Sequence, residues 1–121
     1  MTNADLVWNR AAMGAGGDAP GPGDRALAAL LLAHGLIMNG GVRHAIEGLT
    51  PEERLAAVDG YAYFGMDEVA TFLREDPEWD DESEIAADRR YEELVPDDDH
   101  LVAQFEQLYS SHPELFAPVG R

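Results

Sequence analysis

A chain of 121 residues is one domain's worth, and 45% hydrophobic residues are enough for a packed core and too many for a disordered chain. Its 24 acids face only 8 bases, all arginine, for a net charge of −16. Such a surface repels nucleic acid and anionic membranes and favours basic partners. There is no cysteine, which excludes disulfides, thiolate catalysis and cysteine-ligated metals.

The start, Met1-Thr2-Asn3-Ala4-Asp5, lacks the basic residues and apolar run of a secretory signal. The longest apolar stretch, Ala26 to Met38, falls short of the roughly 20 residues that span a bilayer and contains His34 and Gly35. The expectation is a soluble, cytoplasmic protein that does not engage membranes.

In chain order, residues 3–13 read as a short helix with Leu6, Val7 and Trp8 as its apolar content. Gly14 to Gly23 is rich in glycine and proline and predicts a flexible loop, so residues 1–23 read as a loosely docked helix plus linker ahead of a helical domain at 24–121. Asp24 is placed to cap the next helix, which carries Leu27, Leu30, Leu31, His34, Ile37 and Met38 at helical spacing. Leu32 and Leu36 add a second apolar face, and a helix apolar nearly all round predicts the buried centre of a bundle. Asn39-Gly40-Gly41 ends it, and a short helical turn runs from Val42 to Gly48.

Thr50-Pro51-Glu52-Glu53 carries a capping box, opening a helix to about Phe64 with Leu55, Val58 and Ala62 inward. Another helix starts at Asp67, with Met66, Val69, Ala70 and Leu73 on one stripe, and Pro77 marks its end. A helix over about 82–95 carries Ile85, Tyr91, Leu94 and Val95. The last begins at Asp97-Asp98-Asp99, where the macrodipole favours negative charge, with Leu101, Phe105, Leu108 and His112 inward. No segment shows convincing period-two alternation. The predicted fold is all-α, six or seven helices around a central apolar helix.

The charge is concentrated. Residues 1–66 hold 7 acids and 4 arginines, net −3, whereas residues 67–99 hold 15 acids and 3 arginines, net −12. Like charges at this density repel one another and oppose compaction.

Several motifs bear on this. Asp88-Arg89-Arg90-Tyr91-Glu92-Glu93-Leu94 leads through Leu101–Tyr109 to His112-Pro113-Glu114-Leu115-Phe116, and the Leu30–Met38 helix runs into Asn39-Gly40-Gly41. In this order they resemble the bacterial DNA-mimic protein family, over roughly residues 25–117. One departure is clear: where that family usually has an aromatic-rich segment after the two glycines, this chain has Val42-Arg43-His44-Ala45-Ile46, so no role of those aromatics carries over. The resemblance implies an all-helical fold, a homodimer, and imitation of DNA's charge to occupy a DNA-binding regulator. It also implies structural roles for Asn39, Gly40, Gly41, Tyr91, His112 and Pro113.

A mimic needs rows of carboxylates, since duplex DNA carries a charge about every 1.7 Å of axis. Asp76, Glu78, Asp80, Asp81, Glu82 and Glu84 form one candidate row and Asp97, Asp98 and Asp99 another, with Trp79 as an apolar anchor of the kind interfaces favour. The same electrostatics suit an immunity-type inhibitor that occludes a basic nuclease or toxin, and acidity can also reflect only the salt of the host. Asp97-Asp98-Asp99-His100 offers hard metal ligands for a metal-dependent enzyme, yet no calcium-loop pattern is present and His34 and His44 match no zinc spacing. His34 reads first as a hydrogen-bonded core histidine and second as a poised base. Nothing in the sequence calls for a cofactor or for catalysis.

Overall fold

The computed structural model describes residues 1–119, and every regular element in them is helical. The elements are α1 (Asn3–Gly14), α2 (Pro22–Gly40), α3 (Val42–Gly48), α4 (Pro51–Tyr63), α5 (Asp67–Arg74), α6 (Asp81–Leu94) and α7 (Asp98–Ser111), followed by a 3₁₀ turn at Pro113–Leu115. Among the described residues no helix is long and apolar enough to cross a membrane.

Local chemistry sets the helix starts. Thr50 accepts from the Glu53 N–H at 3.1 Å while Glu53 accepts from the Thr50 N–H at 2.9 Å, completing the capping box read from the sequence. Thr2 and Asp5 do the same for α1. Asp80 accepts from the Ser83 N–H and opens α6, a cap the sequence reading did not assign.

Helix α2 lies against α1, α3 and α4 and turns Leu27, Leu30, Ala33 and Ile37 into one continuous core. The expected burial all round is corrected: Leu32 of the second apolar face is 45% exposed and Met38 of the first 66%, while Leu36 is partly buried against the core. On α4 Val58 is buried and Ala62 partly buried as expected, but Leu55 is not. Leu55 is 58% exposed, and the core-facing residues are Ala57, Val58, Gly60 and Tyr61. A Cβ at Gly60 would sit 2.5 Å from the Ala26 carbonyl oxygen, so α2 and α4 meet backbone to backbone and small residues, not Leu55, take the contact. Ile85 and His112, also expected inside, are exposed.

The N-terminal helix is not loosely docked. Val7 is fully buried and Trp8 packs on Phe105 with ring centroids 5.6 Å apart. Asp24 lies inside the first turn of α2, three residues beyond its N-cap Gly21, and works as a tertiary clasp. Its fully buried carboxylate accepts from Arg10 Nη2 at 2.8 Å, the Gly21 N–H at 2.9 Å and the Ala117 N–H at 2.6 Å. Arg10 also donates to the Ala117 and Pro118 carbonyls, fastening α1, α2 and the C-terminal strap together. Around that strap Phe64, Phe105, Tyr109 and Phe116 form an aromatic cluster with centroids 5.2–6.3 Å apart.

Candidate protein-binding surface

The first acidic segment spans the exit from α5 and the first turn of α6. Asp76 accepts from Arg54 Nη1 at 2.7 Å, and the same guanidinium donates to the Leu73 and Glu75 carbonyls, closing the end of α5. Asp80 is committed to its cap, and hydrogen bonds from Ser83 hold its carboxyl below the ordinary value of 3.8. Glu84 pairs with Arg43 at 3.4 Å, which also pairs with Glu47. Glu78, Asp81 and Glu82 are exposed, and Trp79 is half-buried against the core.

The second segment sits at the start of α7. Asp97 is the N-cap, accepting from the His100 N–H at 3.0 Å, and Asp99 faces solvent. Asp98 does something the sequence did not suggest: its Oδ1 lies 2.8 Å from Nε2 of His34 on α2. His34 Nδ1 in turn is 2.7 Å from the Tyr91 hydroxyl, which is 2.7 Å from that of Tyr61. A carboxylate only accepts, so Nε2–H donates to Asp98; neutral imidazole then accepts from Tyr91 through Nδ1, and Tyr61 donates to Tyr91. Every hydroxyl hydrogen in the chain has an acceptor.

This chain crosses the core from the buried Tyr61 to Asp98, whose side chain is 74% exposed. Its open end borders a groove of about 430 Å³ lined by His34, Met38, Asp88, Tyr91, Glu92 and Asp98 among others. Burial pushes both phenols, Tyr61 and Tyr91, well above the ordinary value of 10.0. Both hydroxyls take part in the hydrogen-bond chain that links α4, α6 and α2. Among the described residues no three acidic or histidine side chains are grouped to hold a metal ion.

The residues of the family-like motifs have structural surroundings. Asn39 lies in the last turn of α2. A Cβ on Gly40 would strike the His44 ring at 2.5 Å. Gly41, at φ +95° and ψ 173°, occupies a region open essentially to glycine alone, and Asp88 on α6 uses that gap to accept from the Val42 N–H at 2.9 Å, capping α3 from a distance. Tyr91 is the hub of the hydrogen-bond chain, Pro113 opens the 3₁₀ turn, and the exposed His112 ring lies 3.3 Å from Glu114.

The two acidic rows are not brought together. The first runs into the opening turn of α6, a helix whose 14 residues rise about 21 Å, and the second begins three residues past its other end. Sequence reasoning weighed His34 but missed its partners, which stand 57 and 64 residues away; no spacing rule links such positions. Comparison of the chain with protein-family models, curated proteins and solved structures finds no match.

Proposed function

We propose that the protein is a cytoplasmic, dimeric binding protein that uses the carboxylates of residues 76–84 and 97–99 to occupy the DNA-binding face of a basic protein, a regulator or a nuclease, acting by binding rather than by chemistry. The observation that carries this reading is uncompensated charge on fixed scaffolding. Glu78, Asp81, Glu82, Asp97 and Asp99 are exposed, and among the described residues none has a cationic group within ion-pair reach. Asp80 and Asp97 cap the helices that carry the rows, so the charges hold their spacing. The length of α6, roughly 21 Å, compares with about six phosphates of one DNA strand at about 3.4 Å each, and Asp88, Glu92 and Glu93 lie along it between the two rows.

A second copy has neutral surface to meet. Residues 26–42 contain no aspartate, glutamate or arginine, and Leu32 and Met38 stand exposed within them. The docking of a basic groove on the acidic rows gains steering from the net charge.

The test is capture of partners from host lysate at low salt with elution by a salt gradient. It is run beside a variant carrying Glu78→Gln, Asp81→Asn, Glu82→Gln and Asp99→Asn, which spares both caps. A DNA-binding protein retained only by the native chain, and displaced by duplex DNA, is the expected result. Equal retention of assorted basic proteins by both chains overturns the reading.

A further inference from the structure

Resting on that reading of a basic partner, we infer that the cleft between α5 and α6 grips the partner, and that the segment it takes is a basic amphipathic helix. Two cavities of about 570 and 330 Å³ lie side by side there. They share Phe72, Glu75, Pro77 and Ala87, so they are two bays of one groove. Thr71 and Ala86 complete the wall of the first bay, and Ile46 and Trp79 that of the second. Phe72, Ile46 and Trp79 are only partly buried, resting on the core while remaining open to the groove.

The rim decides the chemistry of the occupant. It carries Asp67, Glu68, Glu75 and Asp76; Glu68 already faces Arg90 at 3.5 Å and Asp76 faces Arg54 at 2.7 Å, so Asp67 and Glu75 are the rim carboxylates with no cationic group within ion-pair reach among the described residues. A purely apolar occupant would strip water from these carboxylates without pairing them. An acidic one is repelled. A segment with apolar side chains on one face and Lys or Arg along its flanks fills both bays, lays its aliphatic stems over Phe72 and Trp79, and brings its charges to the rim.

Much of the lining stands on α3, α5 and α6, whose backbone groups are paired within the helices, and the irregular connector at residues 75–80 contains Pro77, which has no N–H to offer an added strand. An incoming helix brings its own hydrogen bonds and places anchors at i and i+4 about 5–6 Å apart, one for each bay. Trp79, which the sequence marks as an anchor amid acids, thus receives an apolar side chain rather than inserting into the partner.

The experiment is calorimetric titration of the full chain with a synthetic Leu/Lys amphipathic peptide of about four helical turns, a scrambled peptide of the same composition, and oligolysine. The amphipathic peptide is expected to bind at least about tenfold tighter than the scrambled one. Ala86→Trp, which fills the first bay from an exposed position, is expected to abolish that preference and leave oligolysine binding unchanged; the half-buried Phe72 is left alone to protect the fold. Equal binding of the two peptides, or a preference that survives Ala86→Trp, overturns the groove while oligolysine binding still upholds the charge reading. If oligolysine also fails to bind at low salt, the charge reading fails and takes the groove with it.

Discussion

Two polar clusters cross-link the helices, and they differ in where the charge sits. In the clasp the charge is at the centre: the Asp24 carboxylate is fully buried and satisfied by Arg10 and two backbone N–H groups. In the chain from Tyr61 through Tyr91 and His34 to Asp98, the buried members are two phenols and an imidazole, and the carboxylate hangs in solvent at the far end. A buried charge tolerates no missing partner, because the penalty left behind is that of an ion in a poor solvent. The second cluster loses only the hydrogen bonds that are removed.

The largest effect should follow from breaking the clasp. Asp24→Ala removes the acceptor of three donors and leaves Arg10 half-shielded, so urea denaturation should show a loss of about 3 kcal/mol or more. A loss under about 1 kcal/mol would erase the distinction between the clusters. In the relay the hub should matter more than the end. Tyr91→Phe strands both His34 Nδ1 and the Tyr61 hydroxyl and should cost roughly 2–3 kcal/mol, whereas Tyr61→Phe leaves the Tyr91–His34 bond intact and should cost about 1 kcal/mol. A double-mutant cycle in the same denaturation assay sharpens this, since the two losses should not add.

The gentlest perturbation is alkali. Tyr61 and Tyr91 titrate higher folded than unfolded, so their contribution is fully present below the ordinary value of 10.0 and is lost as pH rises above it, when only the unfolded chain ionises. Tyrosinate absorbance and helical circular dichroism should therefore change together for these two groups. Ionisation of both while the helices remain intact would show that the relay is open to water.

Much of the architecture was legible because helix boundaries are written locally. Thr50-Pro51-Glu53 and Gly41 mark their ends with residues a few positions apart. The inward face of α4 was legible only in part: Val58 was read as buried, but hydropathy also favoured Leu55, whereas α2 approaches so closely that only a glycine fits at position 60. Asp24 was legible as a helix-start residue, and it does accept from the Gly21 N–H, but its further partners, Arg10 and Ala117, stand 14 and 93 residues away and were not. The acidic rows could be listed from the sequence and their exposure anticipated. The Asp97 cap belongs to the helix start read at Asp97-Asp98-Asp99, and the Asp80 cap, equally local, was missed; that Asp98 is occupied by His34, 64 residues away, depends on tertiary placement and could not be read.

The backbone contact at Gly60 also governs how the molecule opens. Where two helices touch main chain to main chain at one point, no side-chain rotation there can part them, and the Leu30 amide beneath that contact is expected to meet solvent when the helices separate. Hydrogen exchange at that amide is thereby a clock for their separation, set by the one position on α4 that has no side chain to give way.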